Sequence, residues 1–306
     1  IHMDPLEFRR KNLIRGYYED VYLKPIAANT NGIFECLEKG AAYIHWDEKR
    51  KEYAHQTGDV RRGVGMSLFS YKTGVWPISL EIAGARLSLN QDGSVQLTLG
   101  ATEIGQGADT VFSQMVAETL HTDMEHVHIQ TVQDTDSAPF DTGAYASRQS
   151  FVTGTAVRHC AEILRDKILA YAKTLLPEID TREFELRDNW ICAGGEQVIS
   201  LAALAEESYY SLTNSSVLTA EVSEQVKKNT IATGCCFAEV EVDLKLGKIK
   251  ILHIINVHDS GKLLNPQLAE MQVHGGMSMG MGYGISEQLI LDEKTGRPLN
   301  GNLLDY

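Results

Sequence analysis

Residues Ser94–His121 constrain the fold most tightly, because an alternating strand, a glycine loop and an amphipathic helix follow one another there. Ser94-Val95-Gln96-Leu97-Thr98-Leu99 alternates polar and apolar residues after the turn dipeptide Asp92-Gly93. That pattern predicts a hairpin with a preceding strand, Leu80–Leu89. Val111, Met115, Val116, Thr119 and Leu120 share one helical face, so Ala108–His121 is predicted as a helix. The connecting loop is Gly100-Ala101-Thr102-Glu103-Ile104-Gly105-Gln106-Gly107. A loop feeding a helix N-terminus points unpaired N–H groups at whatever docks there, usually an anion. Gln106, between Gly105 and Gly107, presents its amide where a ligand can approach the backbone closely. The dinucleotide fingerprint is not met, since Gly105-Gln106-Gly107-Ala108-Asp109-Thr110 lacks a third glycine. Glu103 is expected to orient the loop rather than to act as a base.

The remaining pattern extends this plan. Asp4-Pro5 caps a helix over Leu6–Ile14, and a second helix is expected from Ile33 to Asp47, running on into Glu48–Tyr53. Gly63–Tyr71 reads as a strand, as does Val127–Val132. A loop rich in Asp, Thr, Ser and Gly follows (Gln133–Ser150), then a helix from Gly154 to Leu176 ended by Pro177. Further on, strands Thr233–Asp243 and Lys248–Val257 flank the turn Leu246-Gly247. After a loop at His258–Leu264, Asn265-Pro266 caps a long apolar helix. Hairpin, loop and helix thus occur twice, which predicts an α+β fold with internally duplicated halves. The expected domains are a helical lead-in over 1–58, a first β/α half over 59–178 and a second over 179–306.

Composition narrows the function classes. The 306 residues suffice for sizeable cores, and 43% hydrophobic with 23% charged content is that of a soluble globular protein. Forty-one acidic against 28 basic residues give −13, which argues against nucleic-acid or anionic-membrane surfaces. No apolar run reaches the ~18 residues that span a bilayer. Cys36, Cys160, Cys192, Cys235 and Cys236 show no C-x-x-C spacing, so neither an iron–sulfur cluster, structural zinc nor a disulfide framework is expected. Reduced, cytoplasmic thiols are the reading, with one of Cys235 and Cys236 facing in and the other out.

Two further constellations carry chemistry. Asp141-Thr142-Gly143-Ala144-Tyr145-Ala146-Ser147-Arg148-Gln149-Ser150 sets small residues, hydroxyls, an amide and a guanidinium between a strand and a helix. Arg148 is suited to holding a phosphate or pterin-type ring bidentately, with Ser147 and Gln149 donating alongside. In the helix over Pro266–Ile285, Gly276, Gly280 and Gly284 recur every four residues, with Gln272 a turn earlier. Each interior glycine costs ~1 kcal/mol relative to Ala, so the row needs a close neighbour, either backbone or a rigid ligand. Met277, Met279 and Met281 read as core filler, and His274 as an ordinary histidine. No Ser/His/Asp triad or acid–base carboxylate pair is legible, and His258-Asp259 fits a turn and cap.

Glu103-Ile104-Gly105-Gln106-Gly107, Ala144–Gln149, and Asn265-Pro266 with Gln272-Val273 and Gly275 stand in the order and spacing of the xanthine dehydrogenase/aldehyde oxidase family. The chain resembles that family's large, molybdopterin-binding subunit over nearly its whole length, and Asp4-Pro5-Leu6-Glu7-Phe8-Arg9 with Lys11-Asn12-Leu13 resembles its preceding helix. The resemblance implies cofactor contacts at Ile104, Gly105, Gln106 and Gly107, with Gln106 near the molybdenum but not a direct ligand. It implies a pterin and phosphate cradle at Ala146, Ser147, Arg148 and Gln149, and a pterin hydrogen bond from Gln272. The rough counterparts of the family's aromatic substrate clamp are Val75 and Trp76, after an insertion at Tyr71–Gly74.

The implied activity is a molybdenum hydroxylase acting on an N-heterocycle or aldehyde with water-derived oxygen. The implied cofactor is molybdopterin, either plain or extended as a cytosine dinucleotide, with electrons leaving to 2Fe-2S and FAD centres on partner domains or subunits of an oligomer. The family's general-base glutamate falls beyond the counterpart of Tyr306, so no catalytic residue is expected within 1–306. The alternatives are a cofactor-holding piece without turnover, or a related aldehyde, carbon monoxide or aromatic acyl-thioester dehydrogenase.

Overall fold

The computed structural model describes residues 2–14, 18–19, 25–26, 32–130, 132, 134–180 and 184–306. In chain order the elements begin with α1 (Pro5–Asn12), β1 (Tyr18–Glu19), β2 (Pro25–Ile26), α2 (Gly32–Ile44), α3 (Trp46–Glu52) and β3 (Val60–Thr73). Next come β4 (Ile82–Leu89), β5 (Val95–Leu99), α4 (Ala108–Leu120), β6 (Val127–Ile129) and α5 (Gln149–Leu175). Then follow β7 (Phe184–Arg187), β8 (Trp190–Ala193), β9 (Glu196–Ser200), α6 (Leu201–Tyr210) and β10 (Thr219–Gln225). The last are β11 (Thr230–Asp243), β12 (Lys248–Asp259) and α7 (Pro266–Ile285). The chain is α+β.

Packing divides the chain into one unit of Ile1–Tyr71 with Ile231–Tyr306 and another of Lys72–Thr230. This replaces the sequential division at 58 and 178. Strand pairing is the reason: β3 lies beside β11 in the order β12-β11-β3, so the chain leaves the first unit after β3 and re-enters it with β11.

The Lys72–Thr230 unit is built on a sheet of order β10-β4-β5-β6, with β6 parallel to β5 and the other pairs antiparallel. Period-2 alternation sends Ala85, Leu87 and Leu89 of β4, and Val95, Leu97 and Leu99 of β5, into a shared core. Val157, Cys160, Ala161, Leu164 and Ile168 of α5 join that core, as do Phe112, Val116 and Leu120 of α4. Burying one such Leu contributes ~1.5–3 kcal/mol. The α5 helix starts at Gln149, about a turn before the expected Gly154. β6 is short; Thr131 of the expected strand and Gln133 of the following loop lie outside the described residues. The meander β7-β8-β9, helix α6 and strand β10 are additions that the sequence pattern did not disclose. Where the chain enters and leaves this unit, Asn229 Nδ2 donates to Thr73 O at 3.0 Å.

In the other unit, α2 buries Ile33, Cys36, Leu37, Gly40 and Ile44. A Cβ at Gly40 would lie 2.4 Å from a ring carbon of Phe237, so only glycine permits this approach. The single helix expected over 33–53 is broken at His45, whose φ of 58° redirects the chain and buries Trp46 edge-on against Phe237, 5.6 Å between ring centroids. Asp4 caps α1 through Leu6 N at 2.8 Å and accepts Trp46 Nε1 at 3.1 Å. Glu239, 3% exposed, accepts from Lys49 Nζ at 2.6 Å, Tyr53 OH at 2.6 Å and His253 Nδ1 at 2.7 Å. Burial opposes its charge, but these donors prevail and hold its pKa at about 2. Cys235 is buried and Cys236 half-buried, as the in-and-out reading has it.

Two expectations here are corrected. His258 and Asp259 end β12, paired with Gly234 and Thr233, rather than forming a turn. The α7 helix is capped by Asn265 accepting Leu268 N at 3.0 Å, yet buries no residue, and a Cβ at Gly276, Gly280 or Gly284 meets nothing within 4 Å. Met279 is 64% exposed, so the methionines are not core filler.

Candidate functional site

The glycine loop and the segment before α5 both belong to the Lys72–Thr230 unit. Gly105 and Gly107 adopt φ of 98° and 88°, which turns the loop back on itself at a cost only glycine avoids. That reversal lets Glu103 bend over the start of α4. Its Oε1 accepts from Gly105 N at 2.7 Å and Gly107 N at 3.1 Å, and its Oε2 from Asp109 N at 3.0 Å. Burial alone would raise the Glu103 pKa, but the Asp109, Gly107 and Gly105 N–H groups hold it below the ordinary value. The N-terminus of α4 is therefore occupied by the chain's own carboxylate, whose negative charge opposes the anion expected there. Burial and the adjacent Glu103 push the Asp109 pKa up.

Gln106 bridges the two loops. Its Nε2 donates to Gln149 Oε1 at 2.6 Å and to Thr102 O at 3.0 Å, while its Oε1 accepts Ile104 N at 2.7 Å. Gln149 Nε2 also reaches Thr102 O, at 3.1 Å. The pair of glutamines singled out separately in the sequence thus forms one contact. Ile104 stands beside it 70% exposed, and a Cβ at Gly105 would meet nothing within 4 Å.

The start of α5 differs from that of α4. Arg148 occupies the cap position without a side-chain cap. Ala146 and Ser147 adopt left-handed φ of 46° and 53°, each costing ~1–2 kcal/mol for a residue with a Cβ. Among the described residues, the N–H groups of Ser147, Gln149 and Ser150 donate no hydrogen bond, nor does the exposed Ser147 hydroxyl. This terminus is open to an anion.

The Arg148 guanidinium does not point there, which corrects the reading of it as a phosphate clamp. It is wholly buried. Nε donates to Glu81 Oε2 at 2.6 Å, Nη1 to Asp141 Oδ1 at 2.6 Å and Gly143 O at 3.0 Å, and Nη2 to Ile82 O at 2.7 Å. Glu81 was not foreseen; a lone carboxylate at the head of a β-run carries no pattern, and only a buried Arg nearby reveals its partner. Val75 and Trp76 are half-buried in the loop before Glu81. Gln272, on exposed α7, belongs to the other unit.

The molybdopterin cofactor-binding domain family matches residues 39–306. The xanthine dehydrogenase molybdenum-binding subunit of Escherichia coli O157:H7 is 46% identical over 307 residues, covering 99% of this chain and 41% of its own length. The aldehyde oxidoreductase molybdenum-binding subunit PaoC of Escherichia coli (strain K12) is 26% identical, covering 99% of this chain and 39% of its own. The reconstituted CO dehydrogenase from Oligotropha carboxidovorans shares the fold at TM-score 0.82 and 23% identity, over 99% of this chain and 40% of its own. The chain spans 41% of its E. coli O157:H7 relative, about two-fifths. With a family match over most of its length and such a relative, the chain belongs to the molybdopterin cofactor-binding domain family.

Proposed function

We propose that this chain is the cofactor-holding part of a molybdenum hydroxylase of the xanthine dehydrogenase type, acting on an N-heterocycle or aldehyde. The observation that carries the reading is the contrast between helix starts: the Glu103 carboxylate sits on the start of α4, whereas the start of α5 has no side-chain cap and leaves N–H groups free beside an exposed Ser147. A pterin phosphate suits that opening. The Gln106–Gln149 pair offers amides to the polar edge of the rings, and Ile104 offers an apolar face.

When bound, the molybdenum cofactor supplies two-electron oxidation of the substrate carbon with oxygen drawn from water. The chain's contribution is placement. Ser147, Gln149 and Ser150 would hold the phosphate through main-chain N–H groups, and Gln106 would orient the ring system near the metal without ligating it. Gln272 is assigned a pterin hydrogen bond, and Val75 and Trp76 the substrate wall. The 2Fe-2S and FAD centres would belong to partner subunits or domains of an oligomer.

The test is molybdenum analysis and pterin fluorescence of the protein carrying this chain, purified from cells that make the cofactor. Wild-type protein is expected to carry both, and Gln106→Ala to lose most of its molybdenum while melting within a few degrees of wild type. Folded wild-type protein free of molybdenum and pterin, or full occupancy with unchanged turnover in Gln106→Ala, would overturn the assignment.

A further inference from the structure

The Lys72–Thr230 unit contains a buried ionic network that is bonded to two of the segments assigned to the site, one at Val75 and one at Gly143. Arg148, Glu81 and the Asp141 carboxylate have side chains with no exposed area. Such burial is costly unless every polar atom is matched. Here each polar atom of the three side chains has a partner, and Arg148 uses four of its five donors. Beyond the four Arg148 bonds, Glu81 Oε1 accepts Val75 N, Asp141 Oδ1 accepts Gly143 N at 2.8 Å, and Asp141 Oδ2 accepts Thr153 Oγ1 at 2.8 Å. A network bonded at every polar atom in a low-dielectric interior is rigid.

Its anchor points define what it holds still. Val75 N lies in the segment Gly74–Leu80, and Gly143 lies in the segment leading to Ala146 and Ser147. The two segments also meet directly, through Gly74 N donating to Ala146 O at 2.9 Å. Tyr145 adds a third tie. Its ring lies 5.4 Å from the Arg148 guanidinium carbon, and its hydroxyl donates to Leu80 O at 3.4 Å. Gly74 has φ of 78°, and a Cβ there would stand 2.9 Å from Glu81 Oε1, so the loop is drawn tightly over the carboxylate. Neither a phosphate nor a substrate can reach Arg148 or Glu81 without dismantling these bonds.

We infer that Glu81, Arg148 and Asp141 are positioning residues that fix the Val75–Trp76 segment against the Ala146–Ser147 segment. They thereby set substrate affinity without touching the substrate. The inference rests on the proposed function in assigning those segments to substrate and cofactor. The geometry of the ties does not depend on that assignment.

The primary variant is Glu81→Gln, which keeps the shape and removes the charge that pairs with Arg148. A second, Glu81→Asp, keeps the charge but is one carbon too short to hold Arg148 and Val75 N together, and it serves if Gln fails to fold. Hydrogen exchange followed by mass spectrometry on the chain without cofactor is the first readout. Exchange in peptides covering 73–81 is expected to rise about tenfold or more, as loss of a buried charge-assisted hydrogen bond implies, with β4, β5 and α5 core peptides unchanged. Steady-state kinetics of the molybdenum-loaded protein carrying the same variant is the second. KM is expected to rise about tenfold with kcat and molybdenum content within about twofold, the signature of lost substrate binding. Unchanged exchange at 73–81, or faster exchange throughout the unit, would overturn the positioning role. A local rise in exchange with unchanged KM would overturn the link to substrate. Wild-type protein without molybdenum would instead count against the proposed function and leave the exchange result to judge the network.

Discussion

Single carboxylates decide much of this structure. Glu103 closes the start of α4 with three N–H bonds, a capping role worth ~1–2 kcal/mol. Glu103→Ala is expected to lower stability by that amount, seen as a lower melting temperature, and to raise hydrogen exchange in Ile104–Thr110. An unchanged melt would show that the carboxylate only decorates the loop. Glu239 carries a pH signature. Its folded pKa of about 2 lies below the ordinary 4.5, so its stabilisation is complete above 4.5 and fades as pH falls toward 2. Glu239→Gln, which leaves Lys49 without its buried partner, is expected to cost ~3 kcal/mol at neutral pH. The gap between wild-type and variant melting temperatures should narrow steadily below pH 4.5, and a gap constant across that range would contradict the assignment. Glu103's orienting role was legible in the sequence, since it follows from glycine placement. Glu81 and Glu239 were not, because each meets its partners across long stretches of chain.

At the level of elements, glycine has opposite meanings in α2 and α7. Gly40 faces Phe237, and a Cβ there has no room. Gly280 faces open space. Gly40→Ala is therefore expected to destabilise the fold by ~1–3 kcal/mol through overpacking. Gly280→Ala should stabilise α7 by ~1 kcal/mol through helix propensity. Denaturant titrations of the two variants side by side check this, and a loss in both would mean that α7 has a close neighbour. From sequence the α7 row was the conspicuous one and Gly40 passed unnoticed, because regular spacing draws the eye while a single contact leaves no pattern. Long periodic elements such as β4, β5, α4 and α7 were read to within a few residues. The small strands β7 to β10 were not, since four to seven residues of mixed polarity carry little period.

For the whole molecule, the informative fact is that one unit is inserted into the other. The Lys72–Thr230 unit has its own core, and its ends meet at Thr73 and Asn229. Residues 72–230 expressed alone are expected to melt cooperatively and keep their α5 and β4 amides protected. A non-cooperative melt would show that the unit depends on the rest of the chain. The repeat of hairpin, loop and helix expected from the sequence was laid out as halves end to end, because periodicity reports what each element is and not which strand it pairs with.

The insertion also imposes an order on synthesis. A ribosome delivers β3 long before β11, and everything from Lys72 to Thr230 is made in the interval. Until then β3 is a strand whose eventual neighbour does not exist, the state in which exposed edges find wrong partners. Completion of the inserted unit changes the arithmetic of that search. Once Asn229 is bound to Thr73, β11 leaves the ribosome already tethered next to β3, and a closure over a long flexible chain becomes one over a few residues. Mutations that slow folding of the inserted unit should therefore appear first as aggregation through the β3 edge of its host, in a part of the protein they never touch.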